Sequence, residues 1–478
     1  RKAVLPMACL SLGAVLEGRH DYQIIDGNLV PDAVEALDQA VRETNSCVLG
    51  VTVMGGPQLE HAVPVCRALK RRHPNLVIVW GGYFPTQHYE TVLRADYVDY
   101  VLRGHAELPF VTFLDRFYAG EDVHGVDALA YVDASGVIRA NPMAPLPSPE
   151  DLPDFPYDRV DMDRYMRPTF MGRRTISHHS SYGCPFHCNF CAVVNMVNGG
   201  WKAQSAERTA NVVRRLVTQY GADAVEFYDN NFFVSERRVR SFSEQILDLG
   251  IQWWGEARVD TMLKYKDETW ALMRDSGLRM VFLGAESGSD ETLRRMNKGG
   301  RATASKTLDI AAKMHDYGIV PEMSFVLGNP PDPERDAEET MAFIREVKRV
   351  NPATEVIFYM YTPVPLSGTL FDEAKANGFA FPETLEGWIS QEWKDFSQRR
   401  SAAVPGVEDH LRRRISEFEQ VLNAYYPTRT DRQLRGPKRW ALRAMSGWRY
   451  HTGIYRHPIE LKVFHKLFRY RRPETAGF

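Results

Sequence analysis

The 478-residue chain has no long apolar run, no imbalance of charge and very little cysteine. No apolar stretch reaches the roughly 20 residues that cross a bilayer as a helix, which excludes a polytopic membrane protein. The balance of 59 Lys and Arg against 61 Asp and Glu leaves a net charge of -2 and excludes a global bias toward nucleic acid or anionic membranes. Three of the six cysteines, Cys9, Cys47 and Cys66, are scattered in apolar surroundings. That pattern excludes a disulfide framework and points to a reducing, cytoplasmic compartment. Arg1-Lys2 and the fourteen uncharged residues to Leu16 have the outline of a signal peptide. Pro6 and the lack of a small-residue cleavage site argue against one. What is present, 44% hydrophobic and 25% charged residues, is an ordinary globular composition long enough for two or three domains.

The remaining cysteines, Cys184, Cys188 and Cys191, stand in the stretch SHHSSYGCPFHCNFC, which begins at Ser177. Three thiolates this close can ligate one metal centre, whereas a four-iron cluster ordinarily takes four protein ligands. One iron is then left open, as at a catalytic rather than a closed structural metal site. A zinc site with His187 as fourth ligand is the competing reading. It would make the chain a non-enzymatic, zinc-dependent binding protein, yet no second Cys or His pair stands at finger spacing.

The spacing C-x3-C-x-Φ-C, with Phe190 as its aromatic, resembles the signature of the radical S-adenosylmethionine (SAM) superfamily. The resemblance implies a 4Fe-4S cluster on the three cysteines, SAM chelated by the open iron, and reductive cleavage to a 5'-deoxyadenosyl radical. It also implies an electron donor of the flavodoxin or ferredoxin type.

Upstream, apolar runs at 22–25, 47–53, 76–80 and 97–102 alternate with helix-like stretches near 31–43, 60–72, 86–94 and 108–118. Such alternation predicts βαβ units in a parallel, doubly wound sheet over 1–145. Ligands of these sheets bind at the carboxyl ends of the strands, where Gly55, Gly56, Gly81, Gly82 and Gly104 fall. The segment resembles the cobalamin-binding, flavodoxin-like (Rossmann-type) domain that precedes many radical SAM enzymes. Pro6 with Leu10-Ser11-Leu12-Gly13 is similar to its opening motif, Trp80-Gly81-Gly82 to its GG motif, and Arg103-Gly104-His105-Ala106-Glu107 to its R-G-E-G-E turn. The family's first strand would lie upstream. No D-x-H-x-x-G occurs, so the resemblance implies cobalamin held without a histidine below the cobalt. The cobalamin candidates are Thr52, Gly55, Gly81, Gly82, Gly104, His105 and Glu107; in a domain that had lost its cofactor the glycines would serve only as turns.

Six prolines between Pro142 and Pro156 predict a stiff linker, placed at 146–174. From 175 to 370 the βα rhythm resumes, with strands expected at 175–182, 224–228, 252–257, 280–285, 320–327 and 355–361. Six units make a partial (β/α)6 TIM barrel with its chemistry at the carboxyl-end loops. Asp229-Asn230-Asn231-Phe232, Arg258-Val259-Asp260 and Gly284-Ala285-Glu286-Ser287-Gly288 are similar to family segments that hold SAM. Phe190, Asp229, Asn230, Arg258, Glu286 and Ser287 are therefore the SAM candidates. An arginine can pair with a carboxylate bidentately, and a glutamate can accept from an ammonium or ribose.

Residues 371–478 are expected to form a helical cap. Between Arg435 and Arg472 eleven Lys or Arg face a single acid, Glu460, a local net charge of +10, interleaved with Trp440, Trp448, Tyr450, Tyr455, Phe464, Phe468 and Tyr470. Basic and aromatic residues together suit peripheral contact with an anionic inner membrane surface. A helix packed on the barrel by its aromatics is the plainer reading, and no nucleic-acid motif accompanies the patch. The chain is thus expected to be a cobalamin-dependent radical SAM enzyme that methylates an unactivated carbon of a small molecule. Oxidative cyclisation, as in the anaerobic magnesium-protoporphyrin monomethyl ester cyclase group, is the alternative, and a tetrapyrrole or lipid-like substrate is the expectation.

Overall fold

The computed structural model describes residues 3–298, 301–366, 369–397, 409–428, 434 and 436–468. Two sheets dominate. The first has the order β1 (Val48–Thr52), β2 (Val77–Gly81), β3 (Tyr100–Leu102), β4 (Leu129–Val132) and β5 (Ile138–Ala140). β1 to β3 are parallel, while β4 and β5 add antiparallel, so the sheet is mixed at one edge rather than wholly parallel. Helices Ala33–Thr44, Pro57–Arg72 and Glu107–Ala119 flank it. Local chemistry sets their ends: Asp32 accepts from the amides of Val34 and Glu35, and Gly120 closes the third helix at φ 71°.

The run at 22–25 is not a strand. Tyr22 is instead fixed by its side chain, which donates to Glu17 at 2.5 Å and lies 5.1 Å beneath the Arg159 guanidinium. Four apolar residues cannot by themselves distinguish a strand from an extended connection. The expected helix at 86–94 is two short ones, Tyr83–Gln87 and Tyr89–Leu93.

In the second domain β6 (Thr175–His178) leads into a two-stranded ribbon of β7 (Ser181–Gly183) and β8 (Trp201–Ala203). The run at 175–182 is therefore broken, and the break turns the chain toward Cys184. β9 (Ala224–Phe227), β10 (Gln252–Ala257), β11 (Leu278–Glu286), β12 (Val320–Leu327) and β13 (Glu355–Met360) complete a parallel sheet of six, ordered β13-β12-β11-β10-β9-β6. This is the open, partial barrel expected. Side chains alternate across each strand. Val225, Phe227, Trp253, Val281, Leu283, Met323, Phe325, Val356 and Phe358 join the core beneath the surrounding helices, leaving the residues between them to face the barrel interior.

The C-terminal region is two structures, not one cap. Helices Thr369–Ala376, Leu385–Trp388 and Gln391–Ser397 carry aromatics that reach the first domain: Trp388 lies 4.9 Å from Phe84 and 4.5 Å from His88. Helices Asp409–Tyr425, Pro437–Thr452 and Ile459–Leu467 pack together against helix Pro333–Val350 outside the barrel, with Phe418 6.0 Å from Phe358.

Candidate active site at the barrel mouth

The three cysteines follow the Gly183 turn, which takes φ 76° and brings the backbone against Gly200 more closely than any side chain would allow. Cys188 is buried, Cys184 and Cys191 partly so. Burial raises all three thiols, Cys191 to about 12, and the three act electrostatically on one another. Buried thiols of this kind remain protonated at neutral pH until a metal displaces the proton. Nitrogen donors face two of the sulfurs: Asn231 Nδ2 lies 3.9 Å from Cys184 Sγ and Arg258 Nη1 3.4 Å from Cys188 Sγ. Among the described residues no three His, Cys, Asp or Glu gather as around a single ion. A four-iron cluster binds each cysteine through a different iron and so needs a wider triangle, and hydrogen bonds to cluster sulfurs tune such centres. The donor set fits that cluster. His187 is exposed, with its ring over Gly199, so no geometry favours the zinc alternative.

Arg258 is buried and heavily used. It pairs with Asp260 through two bonds of 3.0 and 3.1 Å, donates to Lys298 O at 2.6 Å, and stacks 3.8 Å from the centre of Phe186. It therefore ties the cysteine loop to β10 instead of standing free for a carboxylate. Glu286, at φ 67°, follows a register shift at the end of β11 that re-aims its side chain. Its carboxylate accepts from Lys298 Nζ at 2.9 Å and from Ser324 Oγ at 3.4 Å. Lys298, absent from the sequence-based candidates, also bonds Gly284 O at 2.5 Å and lies 5.9 Å from the Phe190 ring. This buried, polar corner beside the cysteine loop has the donors and acceptors to hold the amine and carboxylate of SAM.

The other SAM candidates divide. Asp229 is fully buried and accepts from Ser180 N at 3.1 Å and from the hydroxyls of Ser180 and Ser181 at 2.8 and 2.5 Å, bracing the strand before the cysteines. Asn230 is exposed; its neighbour Asn231 takes the place by Cys184 and keeps a buried Oδ1 without a partner. Ser287 turns away to Asp336 and Thr340, at 3.4 and 3.2 Å.

At the carboxyl edge of the first sheet, Thr52, Gly55, Gly81 and Gly104 end adjacent strands. Gly55 faces open space, and Gly81 would tolerate a Cβ at 3.6 Å from Leu102 O. Gly82 would not: at φ 95° its Cβ would meet Thr52 Oγ1 at 2.9 Å and the Val53 backbone at 3.3 Å. Burial, with a smaller contribution from Cys191, pushes the Tyr83 phenol up to about 12. Gln87 donates to Ala192 O at 3.1 Å and accepts from Asn195 at 2.6 Å. His105 stacks 4.4 Å from Tyr182, while Ser11 bridges Glu107 and the Tyr182 hydroxyl at 2.8 Å each. In this arrangement His105 and Glu107 join the two domains, one residue before the Gly183 turn. Glu107 Oε2 remains buried without a partner. Gly55 and Gly81 thus leave this edge of the sheet open to a bound group.

The sequence profile of the Radical SAM superfamily matches residues 179–344 and that of the B12 binding domain residues 3–114. An uncharacterised methyltransferase of Pyrococcus horikoshii is 26% identical over 346 residues, 72% of this chain and 73% of that protein. The anaerobic magnesium-protoporphyrin IX monomethyl ester cyclase of Synechocystis sp. is 25% identical over 318 residues, 65% of this chain and 62% of its own length. Among solved structures, the cobalamin-dependent S-adenosylmethionine radical enzyme OxsB, with aqua-cobalamin and S-adenosylmethionine bound, shares the fold with a TM-score of 0.65 at 15% identity. That similarity spans 97% of this chain and 73% of that one.

Proposed function

We propose that this chain, which belongs to the radical SAM enzymes that carry a B12 binding domain, transfers a methyl group to an unactivated carbon of a small molecule. When bound, the cluster and SAM supply a 5'-deoxyadenosyl radical on reduction by a flavodoxin- or ferredoxin-type donor, and methylcobalamin supplies the methyl group. The observation that carries the reading is the meeting of the two cofactor faces: Gln87, on the short helix that follows the Gly81-Gly82 turn, donates to Ala192 O at 3.1 Å, directly after Cys191, and accepts from Asn195 at 2.6 Å. Cys184, Cys188 and Cys191 would hold the cluster, Glu286 and Lys298 the polar end of SAM, and the Thr52, Gly55 and Gly81 edge the cobalamin. Arg258 orients the loop, and the aromatic helices from 369 to 397 exclude water by joining the mouth to Phe84 and His88. The similarity to an uncharacterised methyltransferase over nearly three quarters of both chains supports methylation.

The test is anaerobic incubation of the reconstituted protein with methyl-deuterated SAM, reductant, cobalamin and a small-molecule extract. A product that gains one labelled methyl supports the proposal. Gain of oxygen without label supports the cyclase reading, which rests on the similarity to the magnesium-protoporphyrin enzyme.

The C-terminal helices support a second, separable proposal of peripheral membrane contact. On helix Ile459–Leu467, Leu461 and Phe464 are buried, whereas Ile459, Val463 and Leu467 form an exposed stripe one helical turn apart, 65%, 49% and 71% exposed, flanked by exposed Lys462 and Lys466. Apolar side chains on the outer face with lysines beside them are suited to the headgroup region of an anionic bilayer. Trp440 is exposed as well, while Tyr450 packs in the core as the plainer reading expected. Arg435 and the residues from Arg469 to Arg472 lie outside the described residues. No described helix is long and apolar enough to cross a membrane.

A further inference from the structure

The barrel interior carries two acids, Glu256 and Glu322, that make no ion pair among the described residues. Glu256 pairs in register with Phe282, Phe282 with Glu322, and Glu322 with Glu355, across β10, β11, β12 and β13. Glu256 and Glu322 point inward, since Trp253 and Ala257 on one strand and Met323 and Phe325 on the other face the outer core. The next inward layer, two residues along, holds Gly284 and Ser324, where Ser324 meets Glu286. Two strand residues span about 6.6 Å, so the acidic row lies directly beneath the corner assigned to SAM.

The carboxyls of Glu256 and Glu322 are only partly used by the protein. Glu322 is completely buried; its Oε2 accepts from Trp254 Nε1 at 2.9 Å, but Oε1 has no partner. Glu256 makes no hydrogen bond among the described residues and keeps partial exposure, as do its inward neighbours Tyr228, Phe282 and Ile357. A space inside the barrel therefore reaches the Glu256 carboxyl. The charged groups acting on the two are all acidic: Asp229 on Glu256, and Glu355, Glu256 and Glu226 on Glu322. Arg167 is already paired with Glu226 at 2.5 Å, and Lys348, buried beside Glu355, donates to Thr354 O. Burial first, and Asp229 second, push the Glu256 carboxyl up to about 8.

We propose that Glu256, backed by Glu322, anchors the substrate through an amino group carried as ammonium. The proposal rests on the reading of this barrel as the catalytic domain. An ammonium beside Glu256 lets that carboxyl release its proton and pairs with the charge so formed, can donate three hydrogen bonds, and places the carbon skeleton between the anchor and the mouth. A substrate carboxylate or phosphate in the same position would find no cation to pair with and would keep both acids from ionising. The inference sets the substrate apart from a purely hydrocarbon or polyanionic molecule.

The test uses three matched probes, cyclohexylammonium, cyclohexanol and cyclohexanecarboxylate, bound to the anaerobically reconstituted full chain with cobalamin and followed by saturation-transfer NMR at pH 7. The expected order is ammonium, then alcohol, then carboxylate. Ammonium should bind at least about tenfold tighter than carboxylate, about 1.4 kcal/mol, and Glu256→Gln should bring the two to parity with its iron content intact. Glu256→Leu serves as the second variant, and circular dichroism verifies both folds. Carboxylate binding as tightly as ammonium, no ammonium binding at all, or a preference that survives both substitutions overturns the anchor. SAM cleavage by the same wild-type preparation separates the two failures. Cleavage without head-group preference sinks only the anchor; no cleavage by the reconstituted protein sinks the enzymatic reading beneath it.

Discussion

Arg258 Nη1 lies 3.4 Å from Cys188 Sγ while its other nitrogens clasp Asp260. One buried cation thus joins the cysteine loop to the end of β10. Breaking a buried pair by removing one partner costs about 3–5 kcal/mol, because the remaining charge is stranded. Arg258→Ala should lower the denaturation midpoint by that order and reduce bound iron, whereas Arg258→Met with Asp260→Leu should recover much of the stability without restoring iron. Anaerobic urea melts and iron assay check both. Equal stability in the single and double variants would contradict the clamp.

The raised carboxyl of Glu256 has a consequence for pH. Its ordinary value of 4.5 moves to about 8 through burial first and Asp229 second. Between those values the native state holds a proton that the unfolded state has released, so stability falls as pH rises. Glu256→Gln should remove a slope of up to about 1.4 kcal/mol per pH unit. Chemical denaturation from pH 5 to 8 measures it. An unchanged slope would place the acid in water rather than in the barrel.

Trp388 stacks on Phe381 within the aromatic segment and holds that segment to the first domain through Phe84 and His88. Trp388→Ala should cost about 3–5 kcal/mol and expose residues 379–397 to hydrogen exchange. His88 itself is lowered from 6.5 to about 4 by burial. The unfolded state therefore gains the proton first as pH falls, and stability is lost through that window. Protection of 379–397 should weaken between pH 7 and 5 in wild type, and less in His88→Phe.

For the tail, co-sedimentation with vesicles containing phosphatidylserine should exceed that with neutral vesicles and should weaken as salt is raised. Ile459→Ser, Val463→Ser and Leu467→Ser together should abolish binding without loss of iron. Negligible sedimentation under every condition would leave these helices as packing against the barrel alone.

Most of the architecture was legible because buried parallel strands read as short apolar runs between helical patterns: 252–257 and 320–327 match the observed limits. The run at 22–25 failed because its fate depends on the contacts of Tyr22 with Glu17 and Arg159, which lie elsewhere in sequence. The cysteine loop was visible from spacing, and Arg258, Asp229 and Glu286 from their places after strands. Lys298 was not, since it reaches Glu286 from a loop after helix Asp290–Arg295 and no motif fixes that return. The choice between Asn230 and Asn231 turns on one residue of backbone direction. His105 and Glu107 sat in a recognisable turn, yet their contacts with Tyr182 and Ser11 appear only once the domains are placed together. The acidic row depends on strand register, which single-strand patterns do not specify.

Cys184, Cys188 and Cys191 are proposed to carry a cluster that cleaves SAM. The most direct measurement is 5'-deoxyadenosine released by the anaerobically reconstituted chain with SAM and dithionite, alongside Cys184→Ala, Cys188→Ala and Cys191→Ala with their iron contents. Wild type should release it and each variant should lose both most of its iron and all detectable product. A variant that keeps wild-type iron and product, or a fully loaded wild type that releases none, would contradict the account.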